Sequence, residues 1–335
     1  AVAIRLLNAG ALLGTSDGDY NVVDALSPDA VAMAEDLADP ELLAEAYLPL
    51  GWKAVNSSEF EKARHYFEHS VALYVEAHHT WGTGYARYGL GWVDRMLANV
   101  DEAERQFELA TPDLRKAGDS LMLGWVLGGR AILARYRFDF DQALELHHEA
   151  LDLFESLGDR RAVSFNLICL GIVHNLIGDN ETALDYSLRG VELQREIGWT
   201  ELLHESLPIA AEIAAMNGDD QLALAYFHEG LDALEESRDL DRLTMALEDL
   251  VRIGPDRGEF GAAAILAGKA DQLREETGRP MPPPYVPLTE SARQAIEDEL
   301  GDEFEPALTE GASMSFGEAL DAARKAADRM WGQSG

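Results

Sequence analysis

The feature that most constrains this 335-residue chain is a sequence period of forty residues. Four series of positions repeat at this spacing in a fixed phase. Two consist of small residues: Ala63, Ala103, Ala143, Ala183, Ala223 and Ala263, then Ala11, Gly51, Gly91, Ala131, Gly171 and Ala211. The others are Ala38, His78, Gly118, Gly158, Gly198, Arg238 and Gly278, then Tyr20, Phe60, Val100, Phe140 and Phe260. Such a period predicts a repeat protein whose units bury their apolar faces on one another.

Each repeat has the length of two helices joined by a turn. In the second repeat, residues 41–56 fit a first helix, SSEF fits a turn, and 61–79 fit a second helix. The composition, 47% hydrophobic and rich in Ala, Leu and Glu, favours helices. We therefore predict seven helical pairs over residues 1–278, with the Gly-rich third series at helix ends.

The spacing within a repeat resembles the tetratricopeptide repeat. Its pattern of small and aromatic residues is found in two successive repeats, at Gly51, Ala63, Phe67 and Ser70, and at Gly91, Ala103, Phe107 and Ala110. The chain departs from it at His147 and Ser187, which replace the aromatic residue, and in its longer period. The resemblance implies an all-α fold, a right-handed α-α superhelix of the tetratricopeptide-like solenoid type. It also implies that the first helix of each pair lines a concave face.

The sequence changes character after Gly278. The Pro-rich stretch 279–289, RPMPPPYVPLT, cannot form a regular helix throughout and is predicted to run extended over the surface as a linker. Residues 290–335 fit short amphipathic helices. We predict that these helices cap the end of the solenoid.

This tail also resembles a known family. Its marker residues are Ala264, Leu266, Gly268, Ala270, Leu273, Arg274, Gly278, Pro280, Pro282, Pro283, Leu300, Gly301, Phe304, Gly311, Ser315, Glu318 and Ala319. They resemble the C-terminal end of multidomain bacterial regulators, including LuxR-like transcription factors, in which a signalling ATPase precedes tetratricopeptide-like repeats. Class III adenylate cyclases share this tail. The chain contains no phosphate-binding loop, since Gly268-Lys269 is followed by Ala270. The resemblance therefore implies a sensor or interaction arm, whose partner is an upstream ATPase or output module if the chain belongs to a longer protein.

The resemblance also places a set of side chains in the concave groove. They are Trp52, Asn56, Tyr85, Tyr88, Trp92, Arg95, Trp125, Arg135, Tyr136, Phe165 and Asn175. Aromatic rings near arginine are typical of binding hot spots. In this interpretation Gly89 and Gly128 keep the groove open, and Arg95 and Arg135 clamp a carboxylate or phosphate. The alternative is that the inner helices touch, so that the rings are core residues and the arginines pair with the plentiful carboxylates.

Composition and motifs exclude several function classes. With 27 basic and 61 acidic residues the formal charge is −34, which disfavours direct binding of nucleic acid. No apolar run is long enough for a membrane span, and the first residues read as a helix rather than a signal peptide. Cys169 is the only cysteine, which excludes an internal disulfide and fits a reducing cytoplasm.

The sequence gives little support to catalysis. His65 and His69 have a spacing that suits zinc but lack an evident third ligand. His147 falls at the aromatic core position of its repeat, and Cys169 lies in a predicted packed helix. We therefore expect no catalytic residue, metal or cofactor.

Two functional hypotheses remain open. The first is a non-enzymatic arm of a bacterial regulator, binding a peptide, a partner protein or a small effector in the groove. The second is a free-standing scaffold that docks partners or self-associates through convex or edge surfaces. The second predicts that Tyr85, Trp92 and Trp125 are buried against neighbouring helices.

Overall fold

The computed structural model describes residues 1–16 and 20–332, and this part of the chain is almost entirely helical, without a β-strand. Helices follow one another in pairs joined by short connections, so that consecutive helices run antiparallel. The all-α solenoid class predicted from the forty-residue period is confirmed. No helix in the described ranges combines the length and the apolar character needed to cross a membrane.

The helix bounds follow the period closely. The paired helices are α1 (Val2–Ser16), α2 (Tyr20–Leu37), α3 (Pro40–Asn56), α4 (Phe60–Glu76), α5 (Thr80–Met96), α6 (Val100–Ala117), α7 (Ser120–Tyr136), α8 (Phe140–Leu157), α9 (Arg160–Leu176), α10 (Asn180–Ile197), α11 (Thr200–Met216), α12 (Asp220–Ser237), α13 (Leu240–Ile253) and α14 (Phe260–Thr277). After them come α15 (Val286–Leu300), α16 (Phe304–Ala312) and α17 (Phe316–Trp331). Single 3₁₀ turns occupy Pro255–Arg257, Pro283–Tyr285 and Gly301–Glu303.

The chain divides into two compact units. Unit 1 comprises Ala1–Ala134 and His148–Leu157, and unit 2 comprises Arg135–His147 and Gly158–Gly335. Helices α1 to α6 belong to unit 1 and α9 to α17 to unit 2, whereas α7 and α8 contribute residues to both. Each unit is described by itself below.

A left-handed residue followed by an aspartate forms the connection between many repeats. All seven members of the third series have positive φ, from 48° at Ala38 to 74° at Gly118. This conformation ends the second helix of each pair and favours glycine, which has no Cβ to clash. At Asp39 and Asp159 the next side chain accepts a hydrogen bond from the first turn of the following helix. The period therefore specifies both the end of one helix and the start of the next.

Small residues at fixed positions let the helices of unit 1 pack closely around aromatic rings. The ring of Phe67 is fully buried between two glycines. A Cβ added at Gly51 would lie 2.7 Å from this ring, and one at Gly89 would lie 2.5 Å from it. The alanine series is likewise buried, with 0% exposure at Ala63 and Ala103. The prediction that Gly89 keeps a groove open is therefore wrong, because Gly89 admits Phe67.

The predicted linker is shorter than expected. Residues 283–285 form a 3₁₀ turn and α15 begins at Val286, so the helix starts inside the stretch 279–289 that was predicted to be extended. Pro287 lies in the first helical turn, where a missing backbone N–H removes no helical hydrogen bond. Pro284 is buried, so this stretch is also packed and not merely laid over the surface.

The tail helices pack on unit 2 through unusually close contacts. A Cβ added at Gly268 of α14 would lie 2.0 Å from the carbonyl oxygen of Leu308, and one at Gly311 of α16 would lie 1.7 Å from that of Ile265. Ser315 begins α17 with a capping box in which Glu318 reciprocates. Several tail markers thus have packing or capping roles in this unit.

Candidate functional site

The predicted groove residues are divided between the two units. Unit 1 carries Trp52, Asn56, Tyr85, Tyr88, Trp92, Arg95 and Trp125. Unit 2 carries Arg135, Tyr136, Phe165 and Asn175. Each unit therefore contains its own set of candidate residues.

In unit 1 four side chains form a continuous row of rings, which we call the aromatic row: Trp52, Tyr85, Tyr88 and Trp92. The ring centroid of Trp52 lies 6.3 Å from that of Tyr85 and 5.6 Å from that of Tyr88. Tyr88 in turn lies 6.1 Å from Trp92 in an edge-to-face arrangement. These separations are typical of favourable aromatic pairs. The spacing of the repeat thus brings side chains from α3 and α5 into one surface.

The aromatic row is only partly covered. Tyr88 is 7% exposed and also contacts Phe107, at 6.0 Å between centroids, so it belongs to the floor of the surface. Trp52, Tyr85 and Trp92 are half-buried. The rings therefore combine core packing with accessible area, an outcome that lies between the open groove and the closed core.

The polar groups of the row are neutral over the physiological range. Burial raises the pKa of Tyr85 to about 12, although the neighbouring Trp52 indole opposes the rise. Burial likewise raises the pKa of Tyr88 well above its ordinary value, and Trp92 opposes that rise. Both hydroxyls stay protonated and can donate or accept a hydrogen bond.

Arg95 supplies the positive charge at the end of the row. Its guanidinium carbon lies 4.0 Å from the centroid of the Trp92 ring, within the range of a cation–π contact. The arginine is half-buried and lies beside Met96, whose Sδ is 3.6 Å from Nη2. This combination of an indole face and a guanidinium fixes the orientation of both groups.

Trp81 extends the row, and Trp125 and Asn56 are the remaining predicted groove residues of unit 1. Trp81, which the sequence analysis did not select, stacks on Tyr85 at 5.3 Å and donates from Nε1 to Asp119. Its spacing of four residues before Tyr85 is the signal that would have identified it. Trp125 packs against Phe154 at 5.3 Å and is half-buried. Asn56 is exposed and donates to the Trp52 carbonyl, so its amide is turned back onto α3.

Gly128 of α7, also in unit 1, faces open space. A Cβ added there would meet no atom within 4 Å, whereas one at the next residue, Gly129, would lie 2.8 Å from Phe107. Gly128 is thus unobstructed, and that it keeps the groove open stays a prediction. The two adjacent glycines therefore have different roles.

The inner positions of unit 2 are charged instead of aromatic. Arg252 lies 3.2 Å from Glu212 and also pairs with Asp249, one helical turn away. The guanidinium carbon of Arg252 lies 4.7 Å from the Tyr285 ring centroid. We call Glu212, Asp249, Arg252 and Tyr285 the arginine cluster. Beside it, Arg274 forms a two-bond contact with Glu248, at 2.8 and 2.7 Å.

Burial strongly shifts pKa values in the arginine cluster. It raises the pKa of Asp249 to about 8, and the nearby Glu212 carboxylate adds to the rise while Arg252 opposes it. Burial also raises the pKa of Tyr285 to about 12. Two carboxylates that share one guanidinium thus hold a proton near neutral pH.

Sequence reasoning missed this cluster although the period contains most of it. Arg252 occupies the repeat position of Trp92, and Glu248 occupies that of Tyr88, so extending the groove positions to the seventh repeat would have found both. Tyr285 lies in the tail, outside the period, and no spacing rule points to it. Arg135 and Tyr136 are buried, at 8% and 6% exposure, while Phe165 and Asn175 are half-buried.

The histidines and the cysteine considered for metal or covalent chemistry are His65, His69, His147 and Cys169. His65 and His69 are exposed with ring centroids 4.1 Å apart, and the described residues contain no group of three or more metal-binding side chains. His147 is fully buried, with Nδ1 2.8 Å from the Asn166 side-chain oxygen, as a core histidine should be. Cys169 is a buried free thiol.

Comparisons with known proteins agree with this architecture. The tetratricopeptide repeat family matches residues 122–196, about a fifth of the chain. No curated protein matches the sequence. A solved structure of a Rap protein complexed with Competence and Sporulation Factor is similar at a TM-score of 0.63 and 14% identity, covering 97% of this chain and 99% of that chain.

Two further solved structures are similar in fold. NprR in complex with its cognate peptide NprX has a TM-score of 0.59 and 13% identity, with 98% of this chain and 99% of that chain covered. A signal transduction ATPase with a tetratricopeptide repeat sensor from Pyrococcus horikoshii has a TM-score of 0.50 and 16% identity. That similarity covers 97% of this chain and 52% of the ATPase. At these identities the similarity shows the shared fold alone.

Proposed function

We propose that this chain is a non-enzymatic binding domain that takes a peptide segment on the aromatic row of unit 1. The observation that carries the proposal is the contiguous, half-buried arrangement of Trp52, Tyr85 and Trp92, with Arg95 stacked on Trp92. Such rings offer large apolar area at low conformational cost, and a guanidinium adds a directional polar anchor. A peptide presents both apolar side chains and carbonyl oxygens to such a surface.

The ring packing also favours a preorganised surface. Each ring of the row contacts another ring or Phe67, so their rotamers are set before a ligand arrives. Preorganised side chains lose little conformational entropy on binding.

Two comparisons support a peptide as the ligand. Both the Rap protein and NprR are similar to this chain over nearly their whole length, and each is described in complex with a factor or peptide. We extend this property to the present chain as part of the proposal. The tail resemblance and the similarity to an ATPase with a repeat sensor further support a role as the sensor arm of a bacterial regulator. In that role ligand binding biases an ATPase or output module through unequal affinity for its two states.

The test is a selection of linear peptides from a random library displayed on phage, using the wild-type chain as bait. Selected peptides are then titrated by tryptophan fluorescence against wild type, Trp92→Ala and Arg95→Ala. We expect each variant to bind at least about tenfold more weakly, as for hot-spot residues. Trp199→Ala, a half-buried tryptophan of unit 2, and Arg105→Ala, an exposed arginine of α6, are the matched controls. Equal affinity for wild type and both row variants would refute the proposal.

A second candidate, docking through an edge surface, is favoured by α1. Val2, Leu6 and Leu13 lie along this helix with 75%, 69% and 65% of their area exposed. One repeat later, Leu42 and Ala46 occupy the positions of Val2 and Leu6 and are buried. The apolar stripe of α1 therefore resembles a stacking face. Sedimentation of wild type and Leu6→Asp tests this: a concentration-dependent dimer that the variant abolishes would support the scaffold role, and a monomer in both would exclude self-association.

A further inference from the structure

Arg135 differs from most buried arginines in having no counter-charge. The residue is 8% exposed, and its Nη1 atom is buried without a hydrogen-bond partner among the described residues. No carboxylate in the described part of the chain forms an ion pair with it. The ring centroid of the adjacent Tyr136 lies 5.5 Å from its guanidinium carbon. The positive charge is therefore largely desolvated and uncompensated.

The arginine cluster of unit 2 provides a contrast within the same unit. Arg252 is equally buried but pairs with Glu212 and Asp249 and lies over Tyr285. Glu248 is already paired with Arg274. The Arg135 charge also acts on the Tyr285 phenol, which places both groups in one electrostatic environment. Among the described residues, Glu212, Asp249 and Glu248 each have an arginine partner, whereas Nη1 of Arg135 has no hydrogen-bond partner.

A buried guanidinium without a partner destabilises a protein unless a ligand compensates its charge. Its planar fork of donors matches the two oxygens of a carboxylate. A dianion fits less well, because the carboxylate of Glu212 acts on the same Tyr285 phenol as Arg135 does and repels a second negative charge. One free guanidinium balances one negative charge.

We propose that Arg135, assisted by the Tyr285 hydroxyl, is a binding site for a single carboxylate group of a ligand. The site consists of residues of unit 2, whereas the aromatic row consists of residues of unit 1, and the two proposals are tested by different variants. The carboxylate has two possible sources in a peptide, the C-terminus or an acidic side chain, which the probes below distinguish.

The test uses small probes at constant ionic strength and pH 7. N-acetyl-leucine carries a terminal carboxylate. The α-amide of N-acetyl-aspartate carries only a side-chain carboxylate, and N-acetyl-leucinamide carries neither. Binding is followed by NMR of the arginine Nε–H signals and by the change in Tm. We expect at least one carboxylate probe to shift one arginine signal and to raise Tm, and the neutral probe to do neither. Inorganic phosphate should bind more weakly than the better carboxylate.

Variants decide whether Arg135 is the residue involved. Arg135→Met should abolish the probe response and leave Tm of the free protein unchanged or higher, because it removes an uncompensated charge. Tyr285→Phe should keep the fold and weaken binding of the carboxylate several-fold. Arg137→Met, two residues away and exposed, is the matched control and should bind as wild type does.

Several results would overturn the proposal. Equal probe responses in wild type and Arg135→Met would do so, as would carboxylate and neutral probes that bind alike. A fall in Tm of several degrees in both Arg135→Met and Arg135→Gln would assign Arg135 a structural role instead. Loss of peptide binding in Trp92→Ala has no bearing on these results, so the two proposals fail separately.

Discussion

The inner positions of the two units occupy the same places in the repeat but carry opposite chemistry. Tyr88 and Trp92 of unit 1 stand four repeats before Glu248 and Arg252 of unit 2. The first pair belongs to a row of rings whose hydroxyls remain neutral. In the second pair, Arg252 forms an ion pair with Glu212 and Glu248 forms one with Arg274, and both ion pairs are largely removed from water. A shared backbone frame thus supports either apolar contacts or charge compensation at the same positions.

The difference shows which positions the period fixes. The small residues between helices are buried in both units, at Ala103 in unit 1 and Ala223 in unit 2. Their replacement would alter the distance between helices. The inner positions do not make such a close contact between helices in every repeat. Their side chains can therefore differ in chemistry from one unit to the other. Function is therefore expected at the variable positions, and each of the following predictions tests the contrast between the two regions.

The largest expected effect is at the ion pairs of unit 2. Arg252→Ala leaves Glu212 and Asp249 buried without their cation, and should lower the free energy of unfolding by roughly 3–5 kcal/mol at pH 7. Urea unfolding followed by circular dichroism measures the change. Arg105→Ala, which breaks an exposed pair with Glu102 in unit 1, is the control and should change it by less than about 1 kcal/mol.

The double variant Arg252→Ala, Glu212→Gln distinguishes charge from packing. If the unpaired carboxylates cause the loss, removal of one of them should restore part of the stability. An unchanged midpoint in the double variant would indicate that the loss comes from the packing of Arg252 on Tyr285.

The second effect is the pH dependence of stability. The pKa of Asp249 is about 8 in the folded chain and about 3.9 when unfolded, so the folded state binds the extra proton between these values. Stability from this group is therefore greatest at low pH and falls as the pH rises towards 8, by up to about 1.4 kcal/mol per pH unit. Between pH 6 and pH 8 the wild type should lose up to roughly 2.5 kcal/mol relative to Asp249→Asn.

The aromatic row sharpens this comparison, because its tyrosine hydroxyls titrate at higher pH than Asp249. The pKa of Tyr85 is raised to about 12, so unit 1 should add no dependence from this tyrosine below about pH 9. Urea midpoints of wild type and Asp249→Asn, measured at half-unit steps from pH 5 to pH 9, test the difference. Parallel curves would show that Asp249 does not carry the extra proton.

The fold was largely predictable because the stacking positions repeat. The helix-ending series from Ala38 to Gly278 adopts positive φ at every member, and the two-helix bounds follow the same period. The linker was predicted less well, because proline excludes a helix interior but is accepted in a first turn, as at Pro287. Gly89 was misassigned since spacing alone does not reveal which ring a glycine receives.

The candidate sites were only partly predictable for a different reason. The aromatic row follows from one helical stripe repeated over two helices, so periodicity finds its members. Whether Arg135 meets a counter-charge depends on residues from several repeats and the tail, including Tyr285. Such long-range neighbours carry no local signal. The raised pKa of Asp249 likewise arises from burial, which the sequence does not report for a charged residue.

The third expected effect is a difference in stability between alanine substitutions at two adjacent glycines of α7 in unit 1. Gly129→Ala should lower the free energy of unfolding by about 1–2 kcal/mol, because its Cβ meets Phe107, which is held on its other side by Gly91. Gly128→Ala enters open space and should raise it by about 0.5–1 kcal/mol through better helix propensity. Both substitutions make the same chemical change in one helix, so each is the other's control. Equal effects on Tm would contradict the packing assigned to Phe107.

The smallest effect concerns the cation–π contact that ends the aromatic row. Arg95→Gln removes the charge 4.0 Å from the Trp92 ring and should lower the free energy of unfolding by about 0.5–1 kcal/mol, since the pair is half-buried. In Trp92→Leu the same arginine substitution should change stability less, and the difference measures the coupling. A coupling near zero would mean that the arginine is held by other contacts. The contrast with Arg252 is then complete: the Arg95 guanidinium beside the row contributes little to folding, whereas the Arg252 guanidinium in the cluster is required by the fold.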